Sequence, residues 1–185
     1  MRRAVLLLVL LMPSVAGSQW WRNGKRIPDE TWRRSQDDLG VMLLLTTETD
    51  AFVREWYSTP ESHVPNIRTT DRAVRGDVVS AFVLFSGCKP SPSGTCDGTV
   101  DFTVLKPDGS LYGEAKNYPL CTRKASVKTV QMSPEHLDIQ IEPRDPLGLY
   151  TVKARVRDKL AGITLEVERR LEVVVSVEPN GKPVG

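Results

Sequence analysis

Apolar side chains return at every second position through much of the stretch from residue 99 to residue 175, and this period limits the fold more than any other feature. Val100, Phe102 and Val104 alternate with Thr99, Asp101 and Thr103. Leu137, Ile139 and Ile141 alternate with Asp138, Gln140 and Glu142. Tyr150, Val152, Ala154 and Val156 alternate with Thr151, Lys153, Arg155 and Arg157, and Ile163, Leu165 and Val167 with Thr164, Glu166 and Glu168. Successive side chains of a strand point to opposite faces, so each segment is a strand with one wet and one dry face. Val78 to Phe85 is nearly all apolar and reads as a central strand, and Val127 to Met132 as a weaker one. Turns fall at Pro107-Asp108-Gly109, at Ser133-Pro134-Glu135, at the long corner Glu142 to Gly148, and at Lys159 to Gly162. About seven short strands separated by regular turns predict a mainly β chain folded as an antiparallel two-sheet sandwich.

The last hairpin can be given a register. If Asp158 faces Ile163, the apolar residues of both strands share a side, Arg155 faces Glu166 and Lys153 faces Glu168. Each opposed charge pair favours that register by a few tenths of a kcal/mol, roughly. Arg169 breaks the pattern, because it lies on the parity of Ile163, Leu165 and Val167, which Leu171, Val173 and Val175 resume. A buried unpaired arginine is costly, so a bend, a bulge or the sheet margin is expected at Arg169-Arg170.

The segment Asp145-x-x-Gly148-x-Tyr150-x-Val152 resembles the tyrosine corner of the immunoglobulin-like superfold. The resemblance covers about 110 residues, over 66–178, and implies that the Tyr150 hydroxyl ties the corner to upstream backbone. Val152 stands where antibody domains carry their second cysteine, and no Trp lies in 99–105. The resemblance is therefore to the broad sandwich class, which implies a fold and not an activity.

The chain before this body divides in two. Residues 1–16 pair a basic start, Arg2-Arg3, with the apolar run Ala4 to Met12, then Pro13 and Ser14-Val15-Ala16. This is the pattern of a secretory signal peptide, and the run falls short of the ~20 residues a membrane span needs. No Asn-x-Ser/Thr sequon is present, which favours a bacterial envelope, and the expected compartment is periplasmic or secreted. Residues 17–65 form an N-terminal segment carrying Trp20, Trp21 and Trp32 among Arg22, Lys25, Arg26, Arg33 and Arg34. These indoles either pack on the body, the favoured reading, or form a partner contact. Gly40 to Thr46 reads as a buried strand. A two-turn helix follows, with Asp50 as its N-cap and Phe52, Val53, Trp56 and Tyr57 on one face. Together they form a small strand-helix appendage packed against the sandwich. Residues 179–185 are expected to be a flexible tail.

Cys88 and Cys96 bracket a short loop, the spacing of a loop-closing disulfide in an oxidising compartment. Cys121 can pair with either, and is otherwise a free, buried thiol. His63 and His136 lie far apart without ligand spacing and read as surface histidines; Asp97 and Asp101 near a loop lack the EF-hand pattern. No metal or other cofactor is expected. Arg75-Gly76-Asp77, the integrin-binding tripeptide, sits at a strand entry and reads as a turn. No nucleophile elbow, zinc-protease motif or phosphate loop is present. Losing Arg2 and Arg3 with the signal takes the basic residues from 25 to 23, equal to the 23 acidic ones. That balance argues against nucleic acid as a partner.

The expectation is an exported, non-catalytic binding or assembly module of the cell envelope with a protein or envelope partner. The alternative is a small hydrolase acting on envelope glycans or peptides, whose carboxylate pair would come from distant segments and leave no local motif. A strand-donating chaperone ranks below both.

Overall fold

The computed structural model describes residues 20–22, 25–124 and 130–176. The expected signal peptide and flexible tail lie outside the described residues.

Among the described residues twelve strands and one helix follow in order: β1 (Trp21–Arg22), β2 (Lys25–Arg26), β3 (Arg33–Gln36), β4 (Leu39–Thr46), α1 (Thr49–Ser58), β5 (Arg72–Val74), β6 (Val78–Ser86), β7 (Gly98–Leu105), β8 (Leu111–Pro119), β9 (Gln131–Met132), β10 (Leu137–Gln140), β11 (Gly148–Asp158) and β12 (Ile163–Val174). β1 and β2 form a small hairpin of their own. The rest form two sheets, one ordered β10-β6-β4-β3 with β9 also on β6, the other β5-β12-β11-β7-β8. The result is an immunoglobulin-like β-sandwich. One pairing departs from the antiparallel rule, since β5 runs parallel to β12.

The strand at 39–46 does more than pack against the body. β4 pairs with β6 from Gly40↔Ser86 to Thr46↔Ser80 and with β3 on its other side. The apolar runs of β4 and β6 have a physical cause, because both strands are covered on both faces. Leu43, Leu45, Val83 and Phe85 point into the core between the sheets, where they meet Phe102, Val152 and Val167. Leu44, Phe82 and Leu84 point outward into a second cluster capped by Phe52 of α1, whose ring stacks on Phe82 at 4.3 Å.

Helix α1 begins one residue before the expected cap. Glu48 is the N-cap residue and makes no side-chain cap hydrogen bond, while Asp50 lies in the first turn, where its charge complements the helix dipole. The Thr59 hydroxyl donates to the Glu55 carbonyl at 2.8 Å, and Pro60 follows.

The last hairpin has the register read from its charges, with Asp158↔Ile163, Arg155↔Glu166 and Lys153↔Glu168. No bend or bulge occurs at Arg169, which stays paired with Val152 in an unbroken ladder. Its charge is handled by a ring from the other end of the sequence, described below.

The two long sides of the sandwich close differently. On one, the Glu168 N–H donates to the Thr31 carbonyl at 2.7 Å and joins the sheets through the N-terminal segment. On the other, the Tyr112 hydroxyl of β8 lies 2.5 Å from the Gln140 carbonyl and 2.5 Å from Asp145 Oδ2. Burial and the Asp145 carboxylate both push the Tyr112 phenol pKa above its ordinary value. Tyr150 donates to the Pro146 carbonyl at 3.0 Å, the hydrogen bond implied by the tyrosine-corner resemblance.

Candidate functional site

Trp20 and Trp32 are treated differently by the fold. Trp20 is buried, with its ring against Gly40, where an added Cβ would meet the ring at 2.9 Å. The Trp21 side chain, the third of the expected contacts, lies outside what the structure describes. Trp32 is half-buried, between the outer cluster under α1 and the last strand.

Trp32 is held by charge. Its Nε1–H donates to Glu30 Oε2 at 2.8 Å, and Glu30 Oε1 accepts from Arg33 Nη2 at 2.9 Å. The Arg33 guanidinium sits 4.8 Å from the ring centroid and that of Arg169 4.7 Å, both within cation–π range. Arg33 is 8% exposed, and its Nη2 also donates to the Pro28 carbonyl at 2.9 Å. The Nε atoms of Arg33 and Arg169 are buried with no hydrogen-bond partner. Burial lowers the Arg169 pKa, against the raising pull of Asp71 and Glu30; an arginine so placed stays charged.

The backbone around this cluster is pinned. In β3 the outward N–H and C=O of Arg33 pair with Glu30, and the Ser35 N–H donates to Asp29 Oδ2 at 3.1 Å. The outer edge of β3 is thus taken by the chain itself, leaving side chains as the means of contact there.

The disulfide joins Cys88 to Cys96, with Cα atoms 5.9 Å apart. Asp158, 1% exposed, ties this loop to the last hairpin. Its Oδ2 accepts the Lys89 N–H at 2.7 Å, and its Oδ1 accepts those of Leu160 at 3.1 Å and Ala161 at 3.0 Å. Sequence reading missed this role, because the partners lie 69 positions apart. Cys121 is free and only partly buried; its thiol donates to the Arg123 carbonyl at 2.9 Å.

Other candidates resolve into local structure. Asp97 binds Lys159 Nζ at 2.9 Å, and Asp101 binds Arg157 at 2.7 Å and the Asn117 N–H at 2.9 Å. Among the described residues no three His, Cys, Asp or Glu side chains are grouped to hold a metal ion. In Arg75-Gly76-Asp77, the Val74 N–H donates to Asp77 Oδ2 at 2.8 Å and Arg75 Nε donates to the Asp145 carbonyl at 2.8 Å, so both charged residues serve the turn. His63 lies 3.0 Å from the exposed Ser62 hydroxyl.

His136 is more buried than a surface histidine, with its ring stacked on Phe82 at 4.6 Å. It belongs to a chain that suggests hydrolase chemistry by residue type alone. Thr49 Oγ1 lies 2.5 Å from Ser80 Oγ, Ser80 Oγ donates to Asp138 Oδ1 at 2.5 Å, and His136 Nε2 lies 3.4 Å from the same oxygen. The carboxylate stands between hydroxyl and imidazole. A nucleophile needs the imidazole in the middle to take its proton, and Ser80 is fully buried. A groove of about 340 Å³ beside α1 is lined by Glu48, Phe52, Glu55, Asn66 and Arg68. There Glu48 pairs with Arg68 at 3.4 Å and Glu55 accepts the Asn66 N–H at 3.0 Å, so its acids hold the 66–68 segment in place.

No family model matches the chain, and no curated protein matches it. Solved structures similar to it share little sequence. The C-terminal domain of wzt is 8% identical, with 81% of each chain covered and a TM-score of 0.48. A CARDB domain from Pyrococcus furiosus, solved with di-metal ions, is 13% identical over 56% of this chain and 80% of that one, with a TM-score of 0.34. An immunoglobulin-like protein from Pseudomonas aeruginosa is 17% identical over 62% and 86%, also with a TM-score of 0.34. No helix among the described residues is long and apolar enough to cross a membrane.

Proposed function

We propose that this chain is an exported, non-catalytic binding or assembly module of the cell envelope, and that its contact surface is built around Trp32. The observation that carries the reading is the setting of that indole. It is half-buried, fixed by Glu30 and flanked by two guanidinium groups. Pre-ordered tryptophan and arginine side chains supply contact area at low entropic cost and dominate the energetics of many interfaces. Trp20 is buried and serves the fold instead. The Cys88–Cys96 bridge supports an oxidising compartment.

The test compares Trp32→Ala and Trp32→Phe with wild type in affinity capture from envelope extract, using the processed full chain. The expected result is a partner captured by wild type, lost with Trp32→Ala and weakened with Trp32→Phe, while circular dichroism spectra stay alike. A partner captured equally by all three would refute the Trp32 surface.

A further inference from the structure

We infer that Arg169 recognises a carboxylate carried by an acidic segment of a partner polypeptide, docked beside Trp32. The inference rests on the reading of the Trp32 surface given above. Arg169 occupies a core-parity position between Val167 and Leu171, which are 1% and 0% exposed. An apolar side chain would satisfy that position without a desolvation cost, so the arginine is a burden on the isolated fold. Its guanidinium has donors to spare. The Nε is buried without a partner, and among the described residues no carboxylate lies within ion-pair distance of the group.

The two acids that influence Arg169 do not engage it. Glu30 has one oxygen on the Trp32 indole and the other on Arg33. Asp71 acts on Arg169 through space only. Arg33 is less accessible, being 8% exposed with its Nη2 held by Glu30 and Pro28. The Glu168 N–H to Thr31 bond fixes the backbone next to Arg169, so its fork is pre-aimed. An incoming carboxylate completes a charge-assisted pair with the terminal nitrogens of that fork, since the Nε is buried out of its reach.

The surroundings select the source of that carboxylate. An acidic glycan would need a bare ring to stack on, and the Trp32 ring already carries two guanidinium groups. Strand addition is closed, because the outer edge of β3 is hydrogen-bonded to residues 29 and 30. What fits is an Asp or Glu side chain with apolar neighbours to lie along the indole edge.

The experiment is a nitrogen-15 NMR titration of the processed full chain with a soluble Glu-Ala repeat peptide, its Gln-Ala counterpart and an oligogalacturonate of matched charge. The expected result is saturable movement of the Arg169 Nε–H and Trp32 indole signals with the Glu-Ala peptide alone. Arg169→Gln is expected to weaken that binding about tenfold or more, with Arg169→Lys intermediate. Arg169→Met, flanked by apolar neighbours, serves as the well-folded control and is expected to behave as Gln. Equal binding of the Gln-Ala peptide, unchanged affinity in Arg169→Gln and Arg169→Met, or no saturable movement with any probe overturns carboxylate recognition. Binding of the oligogalacturonate in place of the peptide overturns the polypeptide source. These failures differ from failure of the surface itself, which shows only as partner capture surviving Trp32→Ala.

Discussion

Asp158 joins the disulfide loop to the last hairpin, and its replacement yields a graded prediction. Asp158→Ala removes the acceptor of three backbone N–H groups, those of Lys89, Leu160 and Ala161. Leu160 is 38% exposed, so water can replace the carboxylate in the turn. Losing those two bonds therefore costs about 0.5 kcal/mol each. The Lys89 bond, at 2.7 Å to a charged acceptor in a partly buried site, is worth more; its loss costs about 2 kcal/mol. The expected total is about 3 kcal/mol, or a fall in Tm of about 6–12 °C for a domain of this size. Asp158→Asn keeps one oxygen for the turn but sets an amide N–H against the Lys89 N–H, and is expected to cost about 2 kcal/mol. Urea denaturation with Cys88–Cys96 intact measures both. In a Cys88→Ser/Cys96→Ser background the loop bearing Lys89 is no longer closed, and the cost of Asp158→Ala is expected to shrink by about 0.5–1 kcal/mol. If Asp158→Ala lies within about 0.5 kcal/mol of wild type, or if the disulfide background makes no difference, the tether has been misjudged.

Two further outcomes follow from the packing. Gly40→Ala places a methyl group 2.9 Å from the Trp20 ring; the indole is expected to leave its site, with a red-shifted tryptophan emission and a loss of about 1–2 kcal/mol, and an unchanged emission maximum counts against the burial of Trp20. The Tyr112 phenol is held above its ordinary pKa, so below about pH 10 both folded and unfolded forms keep the proton. As pH rises further the unfolded chain ionises first and stability falls; Tyr112→Phe is expected to flatten that alkaline decline in a Tm-against-pH series, and an equally steep decline would count against the shift.

The parts of this fold that can be read from sequence are those whose causes are local. β7, β10, β11 and β12 announce themselves because one side of each is wet. The β11–β12 register follows from opposed charges on neighbouring strands. β8 gave no such signal, because its pairing with β7 shifts register twice and Asn117 takes a positive φ of 62°, which breaks the alternation. β3, a polar Arg-Arg-Ser-Gln strand, is placed by the turn at Asp37 and by β4 rather than by its own side chains. Arg169 was expected to distort its strand. It does not, because Trp32 arrives from far away in the chain to receive its charge. The Trp32 cluster was legible as composition, a mixture of indoles and arginines, and not as geometry. Which indole is buried depends on Gly40 and on β12, and neither is a neighbour in sequence.

The parallel pairing of β5 with β12 sets Arg72 beside Glu172, and the Thr31 carbonyl accepts from Glu168, earlier on that strand. Contacts of such long sequence separation form late and slow folding. Residues 31 and 72 therefore meet their partners only when nearly all of the chain has been made, whereas β4 can pair with β6 once residue 86 is present. Loss of β12 leaves Thr31 and Arg72 without those partners and uncovers the core that Val167, Leu171 and Val173 close, so an incomplete chain exposes apolar surface until the final strand arrives.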